Sequence, residues 1–416
     1  MRSPIADLKS TRNLFLWSLA AIAAIIVCYV ESSCENDFRI YLAASNDVFA
    51  GKNIYTEYYH TWFHFFYSPL FAVLMKPFTW LPVSVAQFIW LMLDFVMICR
   101  TWKILMKWLA PVFANEKQKI FFHAVCFIFM LRLLRDNFHY GQLTILMLYV
   151  SIEGLRLIFD GKKTAGASLI ALGINFKILP IVLLPYLIYR KEFKASTLII
   201  IFWMIFIFLP VIFIGNSQNN FLLKEWWTHI NPTQSEHMVD TEETTMCSLS
   251  TLVPTLFMDS VPDTHALPIT RNVASFSVQH VGWILNAVRL LFMLMTFLFL
   301  RWPMFTESRS SQHRFREIAY LFLVIPLIFP HQQAYAFYFS LPAVAYILWF
   351  IMNNNAKNRI ILIALMALVF LMFNAELLLG QYALYYQHFK IITWGAIILS
   401  GILLYCKPER MTIRSS

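Results

Sequence analysis

The residues able to do chemistry in this chain of 416 residues are few, and most stand where apolar sequence gives way to polar sequence. Asp37, in Asn36-Asp37-Phe38-Arg39, follows directly on a long apolar run. Asn36 predicts a helix cap, which puts Asp37 in a first turn, where the helix dipole favours a carboxylate. Phe38, Tyr41, Leu42, Val48 and Phe49 give a helix over roughly 37–50 an apolar face, as in a helix lying along a membrane surface, and Gly51-Lys52-Asn53 ends it. A carboxylate at that height reads in two ways: as an ordinary helix-start residue, or as a base for an incoming hydroxyl.

Three further stretches hold ionisable groups. In LRLLRDNFHYGQLT, Arg132, Arg135, Asp136, His139 and Gln142 gather between two apolar runs. They are either a charged cluster on the cytoplasmic side or a functional set at membrane depth. Lys177 is isolated in LGINFKILPIVLLPYL. Its ammonium either faces an anion such as a phosphate or reaches an interface beside a helix broken at Pro180. In FPHQQAYAFYFSLPAVAY, Pro330 precedes a polar mouth of His331, Gln332, Gln333 and Tyr335. His331 there is a sugar or phosphate ligand, a proton carrier, or a structural interfacial histidine. Tyr67-Ser68-Pro69 predicts a helix with Pro in its first turn, and Lys76 reads as a lysine snorkelling to the interface. No GxxxxGK[ST], HExxH or GxSxG occurs, so nucleotide hydrolysis, zinc proteolysis and serine hydrolysis have no support.

Composition says what must position these groups. Hydrophobic residues make up 59% and charged residues 13%. A soluble domain carries about 25% charged residues, so a cytosolic enzyme and a disordered chain are both excluded. The reading is an all-α polytopic membrane protein in one domain, 1–416, since the apolar runs have helix-spanning length. The runs lie near 13–31, 67–81, 84–106, 119–135, 142–159, 163–189, 195–215, 280–300, 315–330, 335–351, 358–377 and 388–406, which predicts about twelve spans. The first run is too long for a signal peptide and reads as an uncleaved span.

The net charge of +10 comes from short basic clusters between apolar runs, a positive-inside pattern rather than a nucleic-acid footprint. Two acidic segments, 31–66 and 216–279, are expected on the extracytoplasmic side, with both termini in the cytoplasm of an inner (plasma) membrane protein. Arg100, Lys103, Lys107, Lys117 and Lys119 break a plain up-and-down count. The conflict vanishes if 67–106 crosses once and 163–189 is a hairpin broken near Lys177-Ile178-Leu179-Pro180. The six cysteines form no CxxC. Cys34 and Cys247, in the polar segments, read as two free thiols or as a pair.

Taken in order, several short motifs resemble glycosyltransferase family 87, membrane enzymes of the GT-C class that use polyprenyl-phosphate sugars. They are the Asp after the first span with an aromatic helix and a G-x-x-x-Y end (Asp37 to Tyr55), Y-x-P-L-F-A-x-L with a later L-P (Tyr67 to Pro82) and R-x-x-x-x-x-G-Q (Arg135 to Gln142). A small-residue helix leading to K-x-x-P (Gly166 to Lys191), the pair Ser248-Leu249 and the polar mouth Pro330 to Tyr335 follow. The resemblance is strongest over 13–350. It departs at Met246-Cys247, where the family often has Asn-Gln, and at His331-Gln332-Gln333, where it usually has a Ser-Trp element.

The resemblance implies a GT-C-like fold with surface-lying helices in the first outer loop. It implies inverting transfer of a hexose, mannose first, from a lipid-linked donor to a glycolipid or glycan acceptor. Asp37 is then the base. Lys177, Arg39, His331, Gln142 and Arg135 are expected at the donor phosphate, and Tyr41, Tyr55, Gln332, Gln333 and Ser248 at the acceptor or sugar. No metal or other cofactor is expected, because the leaving group is a monophosphate. The partners expected are substrates and membrane lipids, with no nucleic acid. A lipid-linked saccharide transporter or flippase, or a polysaccharide polymerase, is the alternative; a transporter gathers its polar residues at the bilayer midplane.

Overall fold

The computed structural model describes residues 21–59, 64–231, 245–259, 267, 269–300, 305, 310–353 and 358–408. Every element named among them is helical, apart from an isolated bridge between Met246 and Gln333. The described chain begins with α1 (Ala21–Glu31), and the predicted cytoplasmic N-terminus lies outside the described residues.

The helix expected after Asn36 is present. α2 (Asp37–Phe49) is capped by Asn36, whose side chain accepts from Phe38 N, and it ends at Ala50 with Gly51 at φ +76°. α3 (Pro69–Leu74) begins where Ser68-Pro69 predicts, with Ser68 accepting from Phe71 N. The expected span at 67–81 is not there. α3 stops after 6 residues, a 3-10 segment (Lys76–Trp80) follows, and both pack on α2. Lys76 donates to Asn46 at 2.8 Å and lies over the Phe49 ring, so it belongs to the surface layer.

α4 (Val83–Leu109) then makes one long crossing of about 40 Å at 1.5 Å per residue. Its Gln87 end bonds the carbonyls of Glu31 and Cys34, which fixes that end on the Asp37 side. α5 (Glu116–Tyr140) returns, and the chain turns by 113° at Gly141 into α6 (Thr144–Phe159). The ion pair between Arg100 and Glu153, 3.1 Å, brings the far ends of α4 and α6 together. The predicted hairpin follows. α7 (Lys163–Phe176) climbs to Lys177, a 3-10 turn (Leu179–Val182) reverses the chain, and α8 (Leu183–Tyr189) descends. Lys163 and Glu192 close its base at 2.7 Å. The basic cluster from Arg100 to Lys119 thus lies away from Asp37.

α9 (Phe193–Phe208) and α10 (Val211–Ile214) form one apolar stretch that exposes Ile200, Ile201, Met204, Ile205 and Phe208, as a lipid-facing helix does. α11 (Asn216–Ile230) lies against the first polar segment: Asn53 donates to Glu225 at 2.9 Å and Trp226 Nε1 to the Phe66 carbonyl at 3.2 Å. α11, in the second acidic segment, therefore lies on the same side as the described part of the first.

α12 (Leu249–Phe257), α13 (Val278–Phe299), α14 (Ser311–Ile328), a 3-10 segment (Ala334–Ser340), α15 (Leu341–Asn353), α16 (Arg359–Asn374), the short α17 (Glu376–Leu379) and α18 (Ala383–His388), and α19 (Ile391–Tyr405) complete the bundle. α19 ends beside Arg316, which donates to the carbonyls of Leu403 and Leu404, on the side away from Asp37. Among the described residues four helices are long and apolar enough to span a membrane, or six if each bent pair counts as one span. The expected count of twelve is not reached among the described residues. Several predicted runs are short, bent or charged helices, which a reading by apolar length cannot separate from spans.

α6 and α7 pack closely where Gly154 faces Gly166. A Cβ on Gly166 would stand 2.5 Å from the Gly154 carbonyl oxygen and 2.7 Å from Ile158. Backbone cannot yield as a side-chain tip does. Gly166→Ala is therefore expected to destabilise the bundle by about 1–3 kcal/mol, seen as a lower melting temperature in detergent. Gly282→Ala, with nothing within 4 Å of the new methyl, serves as the unperturbed control.

Candidate active site

Asp37 owes its place to two helix ends. Asn36 caps α2 and also donates from Nδ2 to the His139 carbonyl at 3.2 Å, so the start of α2 is tied to the last turn of α5. Gly141 ends α5 with φ +61°, and a Cβ there would press on the Asn36 side chain at 3.2 Å. Glycine serves both needs, the left-handed turn and the close approach. The turn brings buried Gln142 to donate from Nε2 to Asp37 Oδ2. Asp37 itself is half-buried.

Lys177 arrives from the other direction. Ser68, the cap of α3, donates to Asn175 Oδ1 at 2.8 Å, which pins the end of α7 just before the hairpin turn. Lys177 is half-buried with its ammonium 5.8 Å from the centre of the Tyr67 ring. It feels the Asp37 carboxylate electrostatically yet makes no ion pair with any described carboxylate. A carboxylate, an amide that bonds it and a lysine that pairs with no described carboxylate thus lie at one end of the bundle.

Beneath them lies an aromatic floor. Tyr41 and Tyr67 share a hydroxyl–hydroxyl bond of 3.1 Å, and Tyr55 donates to the Tyr67 carbonyl at 2.8 Å. Phe38, Phe71 and Trp90 pack edge-on or tilted around Tyr41. Burial first, with the Asp37 carboxylate adding to it, pushes the hydroxyls of Tyr41 and Tyr67 up, so both stay protonated at neutral pH.

The other expected site residues divide. Tyr41 is 1% exposed and Tyr55 0%, with their hydroxyls spent inside, so they build the floor and offer a sugar no face. Ser248 is fully buried and caps α12 by accepting from Ser250 N, which also removes it from the sugar-binding set. Arg39 pairs with Glu35 at 3.1 Å, and Arg135 with Asp136 at 3.4 Å. Arg132 is buried in a structural network with Asp136, Glu376 and Tyr386. Of that cluster only Gln142 touches Asp37.

The polar mouth is brought to the second outer segment: the Gln332 carbonyl accepts from Cys247 N at 2.7 Å. Gln332 is itself buried and donates to the Pro330 carbonyl, Gln333 is half-buried, and His331 is half-buried with φ +53°. Cys34 and Cys247 are free thiols. Asp94 was not read from the sequence. It is fully buried in α4, neither carboxylate oxygen bonds any described group, and a charge inside an apolar run was the signal that marked it.

Residues 65–326, more than half of the chain, match glycosyltransferase family 87. The chain belongs to glycosyltransferase family 87. No curated protein sequence matches it. Family 87 membership makes this a membrane glycosyltransferase, which sets the transporter reading aside. The matched family 87 segment contains Ser68, Gln142, Asn175, Lys177 and Ser248. Asp37 and the mouth His331–Gln333 flank it on either side.

Proposed function

We propose that this family 87 enzyme transfers a hexose, mannose first, from a polyprenyl-phosphate sugar to a hydroxyl of a glycolipid or glycan acceptor, with inversion. The reading is carried by one observation: Asp37, at the start of a surface-lying helix, is held by Gln142 and faces a lysine that no described carboxylate neutralises. A lipid-linked sugar presents its anomeric carbon at that height. Asp37 takes the proton of the acceptor hydroxyl as its oxygen attacks the anomeric carbon from the face opposite the phosphate. The C–O bond to the phosphate breaks, and its electron pair leaves on the polyprenyl phosphate. Lys177 offsets the charge that grows there. His331 and Gln333, at the other lip, are proposed to meet the sugar or acceptor. The leaving group is a monophosphate, so the reaction as written asks for no divalent ion on it. The Asp37 side is proposed to be extracytoplasmic, in a multi-pass protein of the inner (plasma) membrane.

The test is transfer by purified protein from synthetic polyprenyl-phosphate mannose, with the product anomer read by NMR. An inverted mannoside is expected. A retained anomer, or transfer only from a nucleotide sugar, would sink the reading. Lys177→Ala is expected to raise KM for the lipid donor by roughly 10- to 100-fold, the worth of one charge-assisted contact, with KM for the acceptor unchanged. Donor saturation curves measure it, and an unaltered donor KM would remove Lys177 from the phosphate site.

A further inference from the structure

We propose that Glu31, Cys34 and His139 bind a divalent transition-metal ion of the zinc type at the junction of α1 and α5. Glu31 ends α1, Cys34 lies in the loop before α2, and His139 stands in the last turn of α5. One donor atom from each lies within 4.8 Å of the others, and His139 Nδ1 is 3.0 Å from Glu31 Oε2. Tetrahedral zinc holds sulfur, nitrogen and oxygen at about 2.0–2.3 Å, which puts neighbouring ligand atoms about 3.3–3.7 Å apart. Small side-chain rotations close the cluster to that spacing.

The carboxylate and the imidazole lie within hydrogen-bond distance of each other, and the thiol stands beside the same carboxylate. The Cys34 thiol reaches the Val30 carbonyl at 4.0 Å, a long contact. Held this close, the Glu31 carboxylate and a Cys34 thiolate would repel each other. A dication reverses that: one carboxylate and one thiolate cancel its charge, the imidazole stays neutral, and the loaded site carries no net charge at the membrane boundary. A mixed Cys, His and carboxylate set suits zinc better than calcium or magnesium, which take oxygen ligands. Three protein ligands leave a fourth position for water.

The site has a structural consequence beside Asp37. His139 also gives its carbonyl to Asn36, and Gln142, three residues on, holds Asp37. The ion would clamp α1 to the end of α5 that sets the base in place, without touching the donor phosphate. It stands apart from the transferase reading, since its test reads metal and not sugar.

Full-length protein in detergent is stripped with chelator, dialysed and titrated with zinc chloride, and bound zinc is counted by elemental mass spectrometry. One zinc per chain is expected in the parent and in Cys247→Ser, and none above background in Cys34→Ser or His139→Ala. Cobalt in place of zinc is expected to give a thiolate charge-transfer band that Cys34→Ser lacks. Should those variants fail to fold, the parent still decides. Maleimide labelling of Cys34, read by peptide mass spectrometry, is expected to slow by about tenfold or more when zinc is added, because a ligated thiolate is no longer a free nucleophile. No stoichiometric zinc, equal zinc in Cys34→Ser, or labelling that ignores zinc would each overturn the proposal.

Discussion

Asp37→Asn is expected to lower kcat by about 10²–10⁴-fold, the usual worth of a general base, while the affinity for lipid donor stays as in the parent. The asparagine side chain still offers an oxygen to Gln142 Nε2, the cap at Asn36 is untouched, and the surroundings of α2 do not change. Only the basic oxygen is lost. Single-turnover transfer of labelled sugar, beside a donor-binding measurement on the same preparation, separates chemistry from folding. Undiminished transfer would dismiss Asp37 as the base and leave it as a helix-start residue. Loss of donor binding with loss of transfer would assign it to the donor site.

The second large effect is on stability. Arg190, at the end of α8, and Glu317, in the first turns of α14, are 8% and 2% exposed and form an ion pair, with Arg190 Nε donating to Glu317 at 3.1 Å and Tyr186 donating its hydroxyl at 3.2 Å. Glu317→Ala removes the carboxylate that the buried Arg190 guanidinium pairs with, and about 3–5 kcal/mol of stability is expected to go. The double replacement Arg190→Leu with Glu317→Leu is expected to recover most of it, because no uncompensated charge remains. Glu35→Ala breaks an ion pair whose carboxylate side chain is 74% exposed, and it is expected to cost no more than about 1 kcal/mol. Thermal unfolding in one detergent compares all three. A Glu317→Ala protein as stable as Glu35→Ala would show that the buried pair contributes nothing.

The features legible in the sequence were those with local causes. Asn36 announced α2, Ser68-Pro69 announced α3, and the misplaced basic cluster together with Pro180 announced the hairpin under Lys177. What was missed has causes distant in the chain. Nothing near residue 37 shows that Gln142 will meet it, or that Arg132 will meet Glu376, because each contact depends on how helices cross. The run 67–81 resembled a span because aromatic and aliphatic residues serve a surface helix's buried face as well as they serve lipid. The same ambiguity misassigned Tyr41 and Tyr55: a tyrosine beside an active carboxylate reads as a substrate contact until its ring proves to be packed on every side. Ser248 was read as a ligand when its hydroxyl was a cap.

The hairpin of α7 and α8 has a practical use. Its base, closed by Lys163 and Glu192, lies at the other end of the hairpin from Lys177, and the preceding turn at Gly161, φ +85°, has open space around it. A fluorescent reporter or affinity handle spliced in at Gly161 would hang from the end of the bundle away from Lys177. Such a graft offers an optical readout of membrane orientation in living cells while leaving sugar transfer intact.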